Sequence, residues 1–228
     1  MRKVIVLTSV LMVALLFSSA AQAEVLGRFA VSPYGGVVIP IGDFADNDPE
    51  NENSLGAKTG FGLGAMAEYG LTENVMVGGR FGYNQFGFDE DMSPVEGATL
   101  DGPKWTVMEF GAFVKLLLSA GSNTRPYFKA GVNAGKAKFK TDAEAGGESG
   151  EVEIDVATAL GLEGGVGVLH MFSPNLGGFV EGSFNHLMTD GKDVELTVDG
   201  DSFGTEEATT NVQWIAVRAG VSFFFGGK

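Results

Sequence analysis

The sequence predicts an all-β fold: an eight-stranded antiparallel up-and-down transmembrane β-barrel with a plugged lumen, preceded by a cleaved signal peptide. Three observations support this. Apolar and polar residues alternate with a period of two along most of the chain, as in strands with one apolar and one polar face. Glycine makes up 35 of 228 residues and disfavours helices, because each interior glycine costs about 1 kcal/mol relative to alanine. Long and short connections alternate between the predicted strands, a pattern typical of outer-membrane barrels.

The first 23 residues have the features of a secretory signal peptide. A positively charged start precedes an apolar stretch over residues 4–17 and a group of small residues,. The alternative, a short membrane anchor, is disfavoured because a spanning helix needs about 20 apolar residues. We therefore predict a signal peptide over 1–23 and one barrel domain over 24–228. The predicted cleavage site consists of Ala21, Ala23 and Glu24.

Composition excludes several classes of protein. The chain has no cysteine, which excludes disulfides, thiolate metal sites and a lipid-anchored cysteine. Its formal net charge of −14 argues against nucleic-acid partners, which require a basic surface. After the signal peptide, no stretch of 18 apolar residues could form a membrane-spanning helix,.

Period-two alternation predicts the strands in order along the chain. Residues 151–170 show the pattern most clearly, with aliphatic side chains at most even positions,. No second domain fits, because the strands and their connections use the whole chain after residue 23. The predicted strands are 28–39, 59–69, 74–87, 104–118, 126–140, 151–170, 177–188 and 212–225. Long polar connections are predicted at 40–58, 88–103, 141–150 and 189–211, with short turns between them.

Eight charged residues inside the predicted strands lie on the face opposite the apolar one. If the apolar faces meet lipid, these charges point into the barrel, since a charge on the lipid face near the midplane costs about 2–4 kcal/mol. Four acids and four bases can neutralise one another in a narrow lumen, which eight strands make just wide enough for side chains to fill. The alternative, scattered charges on a soluble barrel, does not explain the apolar outer face. The predicted lumenal ion pairs involve Glu68, Arg80, Glu109, Lys115, Lys129, Glu163, Glu181 and Arg218.

Several segments resemble a known family. The opening "SPYGGVVIPIGDFAD", the strand "RPYFKAGVNAGKAKF" and the closing "VRAGVSFFF" are similar to the small outer-membrane β-barrels related to outer membrane proteins A and X. The resemblance implies contact with outer-membrane lipid and lipopolysaccharide. It also implies recognition by the barrel assembly machinery, which in this family reads a terminal aromatic residue. Here Phe225 is instead followed by Gly226, Gly227 and Lys228.

Acidic residues are concentrated in the predicted long loops. Residues 41–58, 88–103, 141–155 and 189–210 hold five, five, six and seven acids, 23 of the 29 in the chain. Such an acidic rim could attract divalent cations or basic partners. The alternative is that the acids only keep exposed loops soluble.

Neither acidic loop motif matches a complete calcium site. Asp46, Asp48, Glu50 and Glu52 are spaced by two, and residues 199–207 are similarly acidic. Both lack the closing glutamate of the twelve-residue calcium loop. The sequence therefore assigns no metal and no cofactor.

The candidate catalytic residues do not converge. Ser183, His186 and Asp190 lie close in sequence, but parity places His186 on the outer face, away from Ser183,. His170 lies near a short turn, far from the outer leaflet. We therefore predict no catalytic residue and a non-enzymatic outer-membrane protein that serves envelope integrity, or surface interaction through its acidic loops. A lipid-modifying hydrolase and a small-solute pore are the alternatives.

Two tryptophans complete the sequence prediction. Trp105 and Trp214 fall near the long-loop ends of their strands, where an aromatic girdle is expected at the membrane interface. Their parity points partly inward.

Overall fold

A computed structural model gives the fold of most of the chain. The predicted signal peptide and the residues of its cleavage site lie outside the described part, as do Glu50 and Glu52. The described residues are 25–48, 51, 53–89, 99–145 and 148–226. Among them, no helix is long and apolar enough to cross a membrane.

Almost all regular structure in the described residues is β-strand, as the period-two pattern predicts. One short 3-10 turn, Gly42–Phe44, follows the first strand. The strands are β1 (Phe29–Pro40), β2 (Ala57–Gly70), β3 (Val75–Phe88), β4 (Thr99–Leu117), β5 (Thr124–Ala145), β6 (Glu148–Val156), β7 (Ala159–Ser173), β8 (Leu176–Leu187), β9 (Asp193–Val198), β10 (Asp201–Glu207) and β11 (Val212–Phe225).

Eight of these strands, β1 to β5, β7, β8 and β11, form a closed antiparallel barrel. β11 pairs with β1 from Phe225↔Phe29 to Trp214↔Pro40. β5 pairs with β7 from Thr124↔His170 onwards. Closure leaves no free edge in the barrel wall, so its backbone groups are paired between strands. The predicted eight-stranded antiparallel barrel is confirmed.

The outer wall of the barrel is apolar. Phe110 and Val132 are each at least 60% exposed, although they lie in the middle of well-paired strands. A large apolar side chain held in this position is stable when the surrounding medium is lipid. The outer face of β11 continues the pattern with Ile215 and Val217.

Two apolar clusters lie at the two ends of the barrel. The cluster at the long-loop end contains Phe44, Phe86, Trp105 and Trp214 among others. The cluster at the short-turn end contains Met66, Phe113, Tyr127 and Phe179 among others. Trp105 and Trp214 are only 4% and 0% exposed. They therefore lie inside the barrel, as their inward parity indicates, and not in an aromatic girdle at its outer surface.

The prediction of one strand over residues 151–170 is wrong. The chain breaks between β6 and β7 at residues 157–158. β7 continues the barrel wall, whereas β6 leaves it and pairs with β5 and β9. Alternation could not reveal this break, because both halves keep the same parity.

The predicted connections 141–150 and 189–211 contain further strands. The end of β5 pairs with β6, and β9 and β10 follow in the same sheet. We call this set the extension sheet: residues 138–145 of β5 with β6, β9 and β10. The turn between β9 and β10 has Asp199 at φ 51° and Gly200 at φ 87°. Positive φ at both central residues is the geometry of a two-residue hairpin, for which Asp-Gly is a strong signal.

Candidate functional site

The eight charged residues predicted for the lumen all lie inside the barrel, on seven strands. None is more than 7% exposed. Each of them occupies an inward-facing position of its strand. In the antiparallel pair of β11 and β8, for example, Arg218 lies directly opposite Glu181. The structure brings six of them into one group and the other two into a separate pair. The six are Arg80, Glu109, Lys129, Glu163, Glu181 and Arg218.

Glu163 lies at the centre of the six-residue group. Its Oε1 atom accepts hydrogen bonds from Arg80 Nη1 at 2.9 Å and from Arg218 Nη1 at 2.8 Å. Lys129 Nζ lies 3.1 Å from the same oxygen. Three cations therefore surround one buried carboxylate, which offsets the desolvation cost of burying it.

Glu109 and Glu181 complete this group from opposite sides. Arg80 Nη2 donates to Glu109 Oε2 at 2.7 Å, and Lys129 Nζ donates to Glu181 Oε1 at 2.5 Å. Arg218 reaches both acids at longer range, 3.8 Å to Glu109 and 3.6 Å to Glu181. The group thus holds three acids and three bases, which compensate one another.

Glu68 and Lys115 form the separate pair, nearer the short-turn end. Their charged atoms are in direct contact. Lys115 Nζ also lies 4.7 Å from the centre of the Tyr127 ring, which supplies a cation–π contact,. Ser32 Oγ donates to Glu68 Oε2 at 3.3 Å. No ion pair between described residues joins this pair to the six-residue group.

Neutral polar side chains that the sequence analysis did not single out complete the lumenal contacts. Asn84 and Asn133 donate to Glu109 at 3.1 and 2.7 Å. Tyr127 OH donates to Glu181 at 3.0 Å. These residues have the same inward parity as the charges, so parity applied to every polar residue would have found them.

The residues considered for catalysis are not assembled into a site. Ser183 is buried inside the barrel, whereas His186 is stacked on the outer-face Phe184 with ring centroids 6.5 Å apart. His170 lies in β7 and contacts Thr124 Oγ1 through Nδ1 at 2.7 Å. Asp190 is exposed. A nucleophile and a base on opposite faces of a strand cannot share a proton.

The candidate calcium motifs are engaged in local structure where they are described. Asp46 accepts a hydrogen bond from Asn51 Nδ2 at 2.8 Å, which holds the pKa of Asp46 below its usual value. Asp199 accepts from the backbone N–H of Glu151 at 2.8 Å. Within the described residues, no group of three or more acidic, histidine or cysteine side chains is placed to hold a metal.

Two sets of acids in the extension sheet differ in their surroundings. On β6, Glu151, Glu153 and Asp155 pair with lysines of β5. The pairs are Lys136–Asp155 at 3.2 Å, Lys138–Glu153, and Lys140–Glu151 at 2.5 Å. The contact with Glu151 raises the pKa of Lys140. By sequence alone these acids belong to an acidic rim, but their cross-strand lysines offset their charge.

The second set lies on the hairpin of β9 and β10. Residues 193–207 contain six acids and no lysine or arginine. Every residue of β10 is exposed. The hairpin therefore carries six acids with no base of its own, unlike the lysine-paired acids of β6.

A comparison with protein families decides the class of the chain. Residues 9–223 match the model of the outer membrane protein beta-barrel domain. The chain belongs to this family. Its location is therefore the bacterial outer membrane, and by the usual arrangement of such barrels the long-loop end faces the outside of the cell. No curated protein matches the chain.

Solved structures share the fold at low sequence identity. A major outer membrane protein from Thermus thermophilus is 16% identical with a TM-score of 0.58, over 87% of this chain and 99% of that one. The outer membrane protein OprG from Pseudomonas aeruginosa is 14% identical with a TM-score of 0.57, over 90% and 99%. Neisserial surface protein A is 16% identical with a TM-score of 0.50, over 87% and 97%. These similarities establish the fold.

Proposed function

We propose that this protein is a non-enzymatic outer-membrane barrel whose extension sheet binds basic partners at the cell surface. One observation carries the proposal: β6, β9 and β10 take no part in closing the barrel and instead form an outward sheet. The hairpin of β9 and β10 presents six acids without a compensating base. An exposed surface of one charge sign attracts partners of the opposite sign.

The interior of the barrel supports an anchoring role over a pore. Eight buried charges and two apolar clusters occupy the lumen, as expected for an eight-stranded barrel that is filled by side chains. The charges in the lumen also restrict the sequences that can form this barrel, because each buried charge needs an opposite charge on another strand. The barrel thus serves as a rigid support for the extension sheet.

Removal of the hairpin tests the proposal. Gly191 N donates to Ala208 O at 2.7 Å, so residues 192–207 can be deleted and Gly191 joined to Ala208. We expect the intact protein in nanodiscs to bind a short lysine-rich peptide, and the hairpin-deleted variant to lose this binding by about tenfold or more. The measurement is fluorescence anisotropy of the labelled peptide at low ionic strength.

Two controls make the result interpretable. The same peptide with glutamate in place of lysine should not bind either protein. Deletion of the turn residues 119–122, at the short-turn end, serves as a matched control because it lies on the opposite side of the membrane from the acids. Equal binding of the lysine peptide by intact and hairpin-deleted protein would contradict the proposal.

A further inference from the structure

The extension sheet ends in a strand whose outer edge pairs with no other described strand. In the sheet order, β10 is the last strand and β9 is its neighbour. Within the described part of the chain, β10 pairs with β9 alone, and all seven of its residues are exposed. A strand in this position offers one row of backbone donors and acceptors to another chain.

The hydrogen bonds at the base of the hairpin show which backbone groups are free to pair. Ala208 N donates to Lys192 O at 2.8 Å, and Gly191 N donates to Ala208 O at 2.7 Å. Both backbone groups of Ala208 therefore point toward the neighbouring strand. In an antiparallel ladder this direction alternates along the chain, so the N–H and C=O groups of Thr205 and Glu207 point away from β9, along the open edge.

The acidic side chains and one bulge of β10 limit which strands can pair with its edge, but other protecting residues are missing from it,. β10 contains neither lysine nor proline, the residues that commonly protect edges. It has one bulge, where the register with β9 shifts between Ser202 and Gly204. Phe203, the extra residue, is 67% exposed and could pack against an apolar side chain of an added strand. The bulge leaves Gly204–Glu207 as a regular segment for pairing.

Charge selects the kind of strand that can be added. Asp201, Glu206 and Glu207 lie on β10 itself, and Asp193 and Glu195 lie on the adjacent β9. Two copies of this chain joined through β10 would bring like charges together across the new ladder, which is destabilising. A basic strand would instead place its charges opposite these acids. The acids thus exclude a second copy and favour a basic partner.

We propose that β10 binds its partner by strand addition, and that the partner is an extended basic segment whose backbone pairs with Thr205 and Glu207. This rests on the proposed function, because it specifies how the acidic hairpin binds a basic partner. Backbone pairing would supply affinity that charge attraction alone does not, and it requires the partner to be extended.

The probe is a short labelled peptide that alternates lysine with threonine or valine, titrated into the protein in nanodiscs. Thr205→Pro removes the outward N–H and keeps every charge, and proline is tolerated on edge strands where the N–H faces solvent. Thr205→Val is the matched control, because it changes the same side chain and retains the N–H. A peptide N-methylated at alternate residues blocks pairing without any change to the protein.

Strand addition predicts that Thr205→Pro and N-methylation each weaken binding by about tenfold or more, while Thr205→Val binds like the unchanged protein. The N-methylated peptide keeps the test valid if the proline variant disturbs the hairpin. If hairpin deletion abolishes binding but N-methylation and Thr205→Pro do not, strand addition is overturned and charge-driven surface binding stands.

Two further outcomes also overturn the proposal. If hairpin deletion leaves binding unchanged, both strand addition and the proposed function fail. If sedimentation shows that the protein itself self-associates, and Thr205→Pro abolishes this, the occupant of the edge is a second copy and not a basic partner.

Discussion

At the scale of single residues, the contacts in the lumen lead to a prediction about Arg218. Its side chain is 2% exposed and contacts Glu163 at 2.8 Å, with Glu181 and Glu109 slightly farther away. Lys192 is an exposed base near the start of the hairpin. We expect Arg218→Leu to lower the free energy of unfolding by about 3–5 kcal/mol, because it leaves buried carboxylates uncompensated. Lys192→Leu should change it by less than about 0.5 kcal/mol.

Urea unfolding of the protein in detergent micelles compares these two variants directly, with tryptophan fluorescence as the signal. Both tryptophans are buried in the barrel, so their emission reports loss of the folded interior. The two variants remove one positive charge each and introduce the same residue, so net charge does not separate them. A lower urea midpoint for Lys192→Leu than for Arg218→Leu would refute the role of the lumenal ion pairs.

The division of the lumenal charges into two groups gives a second prediction. Glu109 and Glu163 share Arg80, whereas Glu68 pairs with Lys115. We expect Glu109→Gln and Glu163→Gln to be non-additive by about 0.5–3 kcal/mol in a double-mutant cycle, and Glu68→Gln and Glu163→Gln to add within about 0.5 kcal/mol. Urea unfolding of the single and double variants measures both cycles. Strong coupling between Glu68 and Glu163 would mean that all eight charges act as one network.

Parity explains what could be predicted about these residues and what could not. In a strand the side of each residue follows from its position alone, so the inward location of Arg218 or Glu163 follows from the sequence. Which charge meets which depends on the register between strands that lie far apart in sequence, and a period of two does not fix it. The separation of Glu68 and Lys115 from the other six charges therefore emerges only in three dimensions.

At the scale of elements, the hairpin of β9 and β10 is an addition to a complete barrel. Neither strand pairs with a barrel strand within the described residues: β9 pairs with β6 and β10, and β10 with β9. Thr189 Oγ1 donates to Thr210 O at 2.6 Å, which ties the segment after β8 to the segment before β11 at the base of the hairpin. Deletion of residues 192–207 keeps both threonines. We therefore expect the shortened chain to fold as a barrel with a loss of stability below about 2 kcal/mol.

Gel migration with and without boiling measures this outcome, because a folded small barrel migrates compactly until it is heated. The hairpin-deleted protein should retain this shift, and its urea midpoint should remain close to that of the intact chain. Val194 packs on the apolar cluster at the long-loop end, which accounts for the small loss. A protein that no longer shows the shift would mean that the extension sheet is required to fold the barrel.

The extension sheet is the part of the fold that the sequence did not predict. The eight wall strands have apolar outer faces, which alternation detects. β10, in contrast, is exposed at every position and contains three acids in seven residues, so its sequence is typical of a loop. Its turn was identifiable from Asp199 and Gly200, a hairpin dipeptide. The break between β6 and β7 had no such signal, since hydrogen bonding to different partners leaves the alternation unchanged.

At the scale of the whole molecule, the sequence contains enough information to specify the barrel because lipid imposes a strict condition. Backbone groups inside a bilayer must be paired, so strands with apolar outer faces have to close on themselves. The direct pairing of Phe29 with Phe225, residues from opposite ends of the described chain, satisfies this condition. No comparable condition acts outside the membrane, which is why the extension sheet was harder to predict than the wall.

The charged and apolar side chains of the interior lead to a prediction for the whole molecule: the intact protein should not conduct ions steadily in planar bilayers. A permeating ion would have to displace buried salt bridges such as Arg80–Glu109 and Arg218–Glu163, at 2.7 and 2.8 Å, and pass between the apolar clusters on either side. The cost of separating buried charges, of order 3–5 kcal/mol for each pair, makes such openings rare.

Current recordings with the purified protein test this, and the hairpin-deleted variant tests whether the extension sheet contributes. If neither protein conducts, the barrier lies in the lumen. If only the hairpin-deleted variant gives stable open levels, the extension sheet closes the barrel. Stable open levels from the intact protein would establish a pore.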